Sequence, residues 1–554
     1  MSKIFDVIGI DLGTTNSVVS VMKDDDIVHT IFDGSSLLPS VVHILENGEL
    51  IVGQKAKNIL AIEPNSTVAS IKRKMGGEES IALGGKKYSP QEISSFILKR
   101  IKEETSKEFG IEVKECVVTV PAYFNEKQRE ATVEATKLAG LEVLRIINEP
   151  TAAALTFGVD KDEDAIYVIY DLGGGTFDVS VIENSEGMVE VISTTGDNSL
   201  GGDDFDKKLA DFIWKKSKNS VEKSKKLDIK LLQLAEKVKK ELSFKDRVEI
   251  KERFFGRVGN SAVHLELEIT RDEFEELIKD DIKRTVNLLK KAIEDAEYEI
   301  DEVDTIILTG GSSRIPLITN MINKECSKMP ALIDDPDRAV SKGALLQALM
   351  LKGKNVDSIL IDITPYSLGT AVLDDNFQLR MQKMIEKNSP IPIKKSDTFY
   401  ATAPYQESFE IRVYQGDNED VLENNHQIGD VLLKVKDPAE WGDIEVTFFL
   451  NQNGILKIEG VYKETGEKVE GEFNTKITKV VSKKESNTLA DYQKRNFAIL
   501  TKIEKVLAND KILDEDKEDL KELKKLYLAE ESEDRIKEIE EEIIDTIFYI
   551  EEQE

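Results

Sequence analysis

The sequence Asp171-Leu172-Gly173-Gly174-Gly175-Thr176-Phe177-Asp178 stands between two apolar runs, residues 165–170 and 179–182. This pattern predicts a buried strand that ends in a carboxylate, then a glycine-rich turn and a second strand. Successive glycines let the backbone approach a bulky anion closely and point several N–H groups at it. Carboxylates at both ends would repel a bare phosphate but suit a phosphate that carries a divalent cation. The stretch therefore predicts a metal–nucleotide site, with a plain tight hairpin as the alternative.

A shorter version of the same pattern opens the chain, at residues 7–21. Asp11-Leu12-Gly13 aligns with Asp171-Leu172-Gly173, which indicates a degenerate internal repeat of strand, turn and strand. Two such hairpins facing each other would grip one polyphosphate from both sides, which implies two similar lobes around a cleft. The chain has neither a P-loop signature nor a G-x-G-x-x-G motif, so the commoner nucleotide-binding folds are not indicated.

Length, composition and charge limit the possible architectures and partners. The chain has 554 residues, of which 40% are hydrophobic and 33% charged. This length predicts about three or four domains, and the composition is that of a soluble globular protein. The net charge of −31 argues against a nucleic-acid partner, which would require clustered Lys and Arg.

Cysteine usage and hydropathy favour a cytoplasmic protein. Cys116 and Cys326 are the two cysteines, too few for a disulfide framework, so a reducing compartment is expected. No apolar stretch approaches the roughly 18 residues of a membrane span. Residues 1–11 run directly into a strand pattern without the features of a leader. From these observations together, a cytoplasmic protein without membrane association is expected. The four histidines lie far apart and suggest no zinc site.

Three further segments carry polar or glycine-rich patterns. Residues 200–204 predict another glycine-rich turn, and Gly310-Gly311 follows a predicted strand, where a ligand can approach the backbone closely. Arg314, just beyond, could stack on a purine ring. A predicted helix over residues 231–243 places four polar side chains on about one face, namely Glu236, Lys239, Lys240 and Ser243.

The pattern changes near residue 353. A short apolar segment bracketed by aspartates leads to residues 363–477, where strand alternation predicts a separate all-β module. In Phe409-Glu410-Ile411-Arg412-Val413, apolar and charged side chains face opposite ways. From about residue 483 the periodicity is helical and strongly charged, which predicts a small helical bundle.

Taken in order, these motifs resemble the 70-kilodalton heat-shock chaperone family, most closely its bacterial DnaK type. The resemblance spans residues 4–475 and is carried by residues 9–17, 118–125, 146–154, 170–180, 200–206, 310–316 and 362–369. It implies a multidomain fold: an α/β actin-like two-lobed ATPase domain, a hydrophobic linker, an all-β sandwich that binds substrate, and a helical lid. The implied bounds are 1–352, 353–363, 364–477 and 478–554.

The resemblance also implies ATP or ADP and Mg²⁺ as ligands. Asp11, Asp171 and Glu149 would hold the metal, through water. Lys72 would contact the γ-phosphate and the attacking water, because a cation stabilises charge on the transferring phosphoryl group. The implied catalytic set is Asp11, Lys72, Glu149, Asp171, Thr176 and Asp178. The implied phosphate contacts are Gly13, Thr14, Thr15, Gly174, Gly175 and Thr176. The implied adenosine contacts are Glu236, Lys239, Lys240, Ser243, Gly311, Ser313 and Arg314. The implied nucleotide-binding set also includes Asn16, Gly201, Gly202 and Gly310.

A nucleotide-controlled switch follows from the same resemblance. With ATP bound, the linker residues Ile359, Leu360 and Ile361 would dock on the ATPase domain, and hydrolysis would release them. Arg145 and Asp362 match positions that receive a J-domain co-chaperone. The expected partners are unfolded client peptides, a J-domain protein and a nucleotide-exchange factor of the GrpE type. A monomer involved in protein folding and the stress response is expected.

Two departures limit the resemblance. The implied peptide site comprises Leu373, Phe399, Thr402, Phe409 and Ile411. Phe409 stands at the centre of a pocket that takes a leucine-sized side chain in the family, so a changed or weakened peptide preference is expected. The lid segment is also shorter than usual, which predicts faster peptide release.

Two other classes of function remain as alternatives. One is a small-molecule kinase on the actin-like fold, and the other is an actin-like filament ATPase. The β-module and the aspartate-flanked linker disfavour a kinase, which needs neither. The C-terminal modules and the charge of −31 disfavour a filament subunit.

Overall fold

The structure, a computed structural model, describes residues 4–473 with short gaps, together with part of the C-terminal region. The gaps are residues 46–47, 62, 78, 159–163, 186–187, 219–220, 222, 259–260, 334, 355–358, 375–377, 452–453 and 455, and the described C-terminal residues are 503, 507, 514–529, 535, 539, 543 and 546. The chain forms two compact units, Met1–Pro365 and Tyr366–Glu554. Most of the expected lid and part of the expected linker lie outside the described residues.

The first unit mixes strands and helices. Its strands are β1 (Ile4–Asp11), β2 (Asn16–Lys23), β3 (Asp26–His29), β4 (Leu38–Pro39), β5 (Val41–Ile44), β6 (Leu50–Val52), β7 (Thr67–Ala69), β8 (Ile81–Leu83), β9 (Lys86–Tyr88), β10 (Glu115–Val120), β11 (Glu142–Asn148), β12 (Ala165–Leu172), β13 (Phe177–Ser185), β14 (Met188–Asp197), β15 (Arg247–Val258), β16 (Ser261–Thr270), β17 (Thr305–Thr309), β18 (Ala331–Leu332) and β19 (Ile359–Ile363). Its α-helices are α1 (Gln54–Ile59), α2 (Pro90–Phe109), α3 (Glu126–Leu138), α4 (Glu149–Gly158), α5 (Gly202–Ser217), α6 (Lys225–Leu242), α7 (Arg271–Asp295), α8 (Pro316–Cys326) and α9 (Ala339–Leu351). Short 3₁₀ helices span Ile71–Lys74, Ile300–Glu302 and Gly311–Arg314.

Helix boundaries follow local chemistry. Asn125 caps α3: its side chain accepts from the Gln128 amide, and the Gln128 side chain accepts from the Asn125 amide. Ser89 caps α2 in the same reciprocal way with Glu92. These bonds satisfy amides that have no partner inside the helix.

Two main sheets organise the first unit, and each contains one of the two glycine-rich hairpins. Their strand orders are β11-β10-β1-β2-β3 and β18-β17-β12-β13-β14-β19. In the first sheet β1 pairs in parallel with β10 and antiparallel with β2. In the second, β12 pairs in parallel with β17 and antiparallel with β13. The repeat in the sequence therefore corresponds to the same arrangement of strands in two sheets.

Small residues let two helices approach closely between apolar clusters. A Cβ added to Gly343 of α9 would lie 1.7 Å from the Ala152 carbonyl oxygen of α4. One added to Gly9 of β1 would lie 2.2 Å from the Leu345 amide nitrogen. The alanine-rich segment after Pro150 thus packs backbone against backbone.

The second unit contains a β-module built from two four-stranded antiparallel sheets. Its strands are β20 (Leu368–Leu373), β21 (Leu379–Ile385), β22 (Pro390–Ile391), β23 (Ile393–Tyr400), β24 (Ser408–Gln415), β25 (His426–Lys434), β26 (Asp443–Leu450), β27 (Leu456–Tyr462) and β28 (Lys468–Phe473). The sheet orders are β21-β20-β24-β25 and β23-β26-β27-β28, and the two-residue β22 belongs to neither sheet. Side chains from both sheets share one core, which includes Phe409, Ile411, Val413 and Phe448. The predicted alternation over residues 409–413 is therefore confirmed.

One longer helix is described in the C-terminal region, α10 (Asp514–Ala529). It buries Leu520 and Tyr527 completely. In the described parts of the chain, no helix is both long and apolar enough to cross a bilayer.

Candidate functional site

A cavity of about 420 Å³ lies in the first unit, where the turns of the β1–β2 and β12–β13 hairpins meet. It collects most of the predicted nucleotide-site residues: Asp11, Gly13, Thr14, Thr15, Asn16, Lys72, Glu149, Asp171, Gly174, Thr176, Glu236, Lys239, Lys240, Ser243, Gly310, Gly311 and Arg314. The predicted residues that do not line it are Gly175, Asp178, Gly201, Gly202 and Ser313. Its size falls within the range of small-molecule sites.

Carboxylates crowd one wall of the cavity. Burial and then the neighbouring Glu149 raise the pKa of Asp11 to about 7, and the same two causes raise the pKa of Asp171. Burial and Glu149 also raise the pKa of Asp178 to about 7, although the Tyr123 amide donates to its Oδ1 at 3.0 Å. Mutual repulsion in a desolvated space has this effect on carboxylates, and a cation placed among them would relieve it.

Lys72 supplies a buried cation at this wall. It lies on the 3₁₀ helix Ile71–Lys74, is 4% exposed, and its Nζ pairs with Glu149 Oε1. The ammonium also lies 5.7 Å from the centre of the Phe124 ring. A buried, fixed positive charge is suited to stabilising negative charge on a phosphoryl group.

The turns of the two hairpins pack against each other through threonine and glycine. A Cβ on Gly174 would lie 1.9 Å from Thr15 Oγ1, and a Cβ on Gly175 would lie 2.6 Å from Thr14. One on Gly201 would lie 2.6 Å from the Gly175 amide nitrogen. These glycines are therefore required by close approach, although Gly175 and Gly201 do not line the cavity themselves.

Asp203 links the two hairpins to the segment that carries Lys72. Its Oδ2 accepts from Ser70 Oγ at 2.7 Å and its Oδ1 from Thr15 Oγ1 at 3.4 Å. Its amide donates to the Gly174 carbonyl at 2.8 Å. Ser70 has a left-handed backbone, with φ of 52°, which is strained for serine. The structure thus holds an unfavourable conformation directly before the Lys72 helix.

The polar face of α6 also lines the cavity. Burial would raise the pKa of Glu236, but the ammonium groups of Lys57 and Lys240 outweigh it and lower the pKa to about 2. Lys57 Nζ lies 2.7 Å from Glu236 Oε2. Lys239 is 8% exposed and donates to Asp206 Oδ2 at 2.8 Å and to the Gly202 carbonyl at 2.9 Å. Lys239 therefore joins α6 to α5, in addition to lining the cavity.

The Gly310–Arg314 segment lines the cavity as well. Gly310 has φ of 81°, and a Cβ there would lie 2.5 Å from Asp171 Oδ1. Ser313 Oγ donates to the Gly310 carbonyl at 2.6 Å, so this hydroxyl stabilises the turn. Arg314 Nη2 donates to Asp337 Oδ2 at 2.8 Å, which fixes the guanidinium at the cavity edge.

Several residues that line the cavity were not predicted from the sequence. They are Val18, Leu37, Gly173, Asp203, Asp206, Phe244, Ser312, Ile315, Pro336, Asp337 and Val340. Asp203 stood inside a glycine-rich motif and could have been named from its position there. Asp337 and Phe244 lie in segments without a motif, so no local signal marks them.

Within the predicted linker, Ile359–Ile363 forms strand β19, whose backbone pairs in parallel with β14. Asp362 is 5% exposed and accepts from Asn148 Nδ2 at 3.2 and 3.3 Å. Burial raises the pKa of Asp362, and the nearby Arg145 opposes this shift. Arg145 donates to Gln347 at 3.3 Å. Because Asn148 directly precedes Glu149, the linker is connected to the carboxylate wall through adjacent residues.

The predicted peptide-site residues all belong to the β-module. Phe409, at the start of β24, is 5% exposed, and its ring centre lies 5.8 Å from that of the fully buried Tyr462. Ile411 is also buried, whereas Phe399 and Thr402 are half-buried. Leu373, also half-buried, ends β20, where it pairs with Leu379 of β21. Phe409 therefore belongs to the packed core of the module.

Comparison with known proteins gives a consistent result. A family model described as Hsp70 protein matches residues 7–83 and 78–553. The chain is 42% identical over 473 residues to the chaperone protein DnaK of Thermosipho melanesiensis, which covers 83% of this chain and 78% of that protein. It is 43% identical over 466 residues to the DnaK proteins of Thermotoga petrophila and Thermotoga maritima, covering 82% of this chain and 77% of each relative.

Proposed function

This chain belongs to the Hsp70 family, and we propose that ATP turnover in the cavity of its first unit controls how its second unit holds client polypeptides. As a member of that family it is an ATP-dependent chaperone and an ATPase. The observation that carries the proposal is the cavity in which two glycine-rich hairpins, a carboxylate cluster and Lys72 meet.

We assign the chain four functional regions. Residues 1–352 form an actin-like two-lobed ATPase domain, supported by the same strand arrangement in two sheets. Residues 364–477 form a substrate-binding β-sandwich, supported by two antiparallel sheets around one core. We further propose that residues 353–363 serve as the linker and that residues 478–554, most of which lie outside the described residues, serve as a short helical lid.

The carboxylate wall suits a hydrated magnesium ion. Among the described residues, no group of three or more His, Cys, Asp or Glu side chains is arranged to hold a metal ion directly. Asp11, Asp171 and Glu149 nevertheless line one cavity, and each of the two aspartates has a raised pKa. Because Mg²⁺ keeps several water ligands, these carboxylates would hold it through water. Bound there, the ion would neutralise charge on the phosphate oxygens.

The protein side chains would then divide the remaining tasks. Lys72 would stabilise charge on the γ-phosphate, and Asp178 with Thr176 would orient the attacking water. The hairpin amides and the Thr14 and Thr15 hydroxyls would bind the phosphates. The α6 face and the Gly310–Arg314 segment would bind the adenosine.

The linker would report the state of the nucleotide. Support comes from the β14–β19 pairing and from the bonds between Asp362 and Asn148, next to Glu149. A nucleotide-dependent position of Glu149 would thus favour or disfavour the paired linker. Arg145 and Asp362 would form the coupling site for a J-domain protein. A GrpE-type exchange factor, a monomeric state and a cytoplasmic location complete the proposal.

Peptide-stimulated ATP hydrolysis tests this function against the two alternatives. A client peptide should accelerate hydrolysis, and sugars should not be phosphorylated. Sedimentation with ATP should give no pellet. Phosphoryl transfer to a sugar, or filaments that pellet with ATP, would contradict the proposal.

The Phe409 substitution tests the proposed change in peptide preference. Phe409→Val should raise affinity for leucine-rich peptides, because it empties space beside Tyr462, and should also destabilise the β-module by roughly 1–3 kcal/mol. Fluorescence anisotropy with a labelled leucine-rich peptide measures the first effect, and thermal unfolding measures the second. Unchanged affinity would contradict the assignment.

A further inference from the structure

Exposed aromatic side chains are concentrated at one place in the β-module. Among the residues that the structure describes, the exposed aromatics are Phe244, Tyr400, Tyr405 and Trp441. Phe244 lines the nucleotide cavity. The other three are 72%, 61% and 57% exposed, respectively, and lie on two neighbouring segments of the module. Leaving apolar side chains of this size in water costs free energy, so their clustering indicates a contact surface.

Backbone hydrogen bonds join the two segments. The Tyr405 amide donates to the Glu440 carbonyl at 3.0 Å, and the Ala401 amide donates to the Gly442 carbonyl at 2.9 Å. Tyr400 pairs with Asp443 where β23 meets β26. The three aromatic residues are therefore carried by one hydrogen-bonded layer of backbone.

A buried tyrosine holds the segment that carries Trp441. The Tyr462 hydroxyl accepts from the Ala439 amide at 2.8 Å. A Cβ added to Gly442 would lie 2.1 Å from that hydroxyl oxygen, so the segment is packed directly on Tyr462. A surface that is ordered before binding loses less conformational entropy when a partner arrives.

The aromatic surface adjoins the proposed peptide site. Thr402 lies between Tyr400 and Tyr405, and its amide and hydroxyl donate to the Gln406 side chain at 2.9 and 3.2 Å. Phe409 follows a few residues later and is buried in the core. The centre of the site is thus filled, while large apolar side chains stand beside it.

We propose that Tyr400, Tyr405 and Trp441 form a client-binding surface for an extended polypeptide segment with aromatic or large aliphatic side chains. Such side chains pack on aromatic faces with large contact area and little loss of rotamer freedom. The inference rests on the proposed function, because it extends the peptide site of the β-module. It places the main contact with client side chains on this surface, beside the position filled by Phe409.

The fluorescence of Trp441 can report binding of a peptide at this surface. The chain has two tryptophans, Trp214 and Trp441, so a full-length Trp214→Phe protein reports on Trp441 alone. The probes are two labelled nine-residue peptides of equal charge, one containing phenylalanines and one containing alanines at the same positions. The phenylalanine peptide should shift the Trp441 emission and bind at least about ten-fold more tightly.

Matched variants complete the test. Trp441→Ala should weaken binding of the phenylalanine peptide about ten-fold, and Trp441→Phe should restore most of the loss. Val421→Ala is the control, because Val421 is 44% exposed and lies on the connection at the other end of β24. Unchanged emission at saturation, with equal affinity for the parent and Trp441→Ala, would overturn the inference and leave the proposed function intact. Absence of any peptide binding by the parent would overturn both.

Discussion

The two glycine-rich hairpins occupy equivalent places in their sheets but offer different atoms to the cavity. The turn after β1 carries the side chains of Thr14 and Thr15, and the turn after β12 presents bare backbone at Gly174 and Gly175. Threonine side chains of the first turn occupy the space that those glycines leave. The two copies are therefore complementary, and a pair of identical turns could not pack this closely.

The largest effect is expected for Lys72, whose side chain lines the cavity where the two hairpins meet. Lys72→Ala should lower the ATP turnover rate by roughly a thousand-fold, because it removes a fixed charge from the phosphoryl group. Nucleotide affinity should change little, since the hairpins and α6 remain. Single-turnover hydrolysis and calorimetric nucleotide binding separate the two effects. Turnover within a few-fold of the parent would remove Lys72 from the catalytic role.

A single methyl group added to a turn glycine tests whether the two turns are complementary. Gly174→Ala should reduce nucleotide affinity or turnover by about ten-fold or more, because the new Cβ meets Thr15 Oγ1 at 1.9 Å. Gly173→Ala is the control, since the nearest atom to its new Cβ is the Thr176 carbonyl oxygen at 3.7 Å. Equal effects of the two substitutions, measured by ATP binding and hydrolysis, would contradict the packing described above.

Asp178, which follows the turn of the second hairpin, should destabilise the folded protein in the absence of nucleotide. The folded-state pKa of Asp178 is about 7 against 3.8, so the folded state binds more protons between these values and loses stability as pH rises through them. Asp178→Asn should therefore stabilise the nucleotide-free protein, by roughly 1–3 kcal/mol more at pH 8 than at pH 5.

Asp204 is the control for this experiment, because its pKa is shifted in the direction opposite to that of Asp178. Its pKa is lowered: burial opposes the shift, but the Arg73 bond and Lys207 outweigh it. Asp204→Asn should therefore destabilise the protein at both pH values. Thermal unfolding at pH 5 and pH 8 measures both variants, and a gain for Asp178→Asn that is independent of pH would contradict the assignment.

The smallest effect is expected at the residue that precedes the Lys72 helix. Ser70→Gly keeps a left-handed backbone favourable and removes the hydroxyl bonded to Asp203, so hydrolysis should slow about three- to five-fold without loss of stability. Ser70→Asn, which tolerates this backbone and can donate to Asp203, should retain most activity.

Ser327 offers a matched control for Ser70. It is an exposed serine with a left-handed φ of 53°, and it follows α8. Ser327→Gly should leave hydrolysis unchanged. If Ser70→Gly and Ser327→Gly both hydrolyse ATP at the parental rate, then the Ser70–Asp203 bond does not position Lys72.

Much of the candidate site could be predicted because its chemistry is local in sequence. Strand, glycine turn and carboxylate stand next to one another in both hairpins, and the polar face of α6 follows from helical spacing. Asn125 was also predictable as a cap, since capping depends on residues three apart.

The remaining features depend on contacts between distant segments. Ser70 meets Asp203 across 133 residues, and nothing near Ser70 in the sequence indicates its strained backbone. The bond between Asn148 and Asp362 spans 214 residues. Alternation predicted that Phe409 and Glu410 face opposite ways, but the contact of Phe409 with Tyr462 comes from the packing of two sheets.

Dissociation of a labelled client peptide, followed by stopped-flow anisotropy on mixing with ATP or ADP, tests whether the paired hairpins control the β-module. ATP should accelerate dissociation of a bound peptide by more than ten-fold over ADP, in the parent and in Lys72→Ala alike. This result requires nucleotide binding at the hairpins, without hydrolysis, to be transmitted to the peptide site. Equal dissociation rates in ATP and ADP would contradict a nucleotide-controlled chaperone.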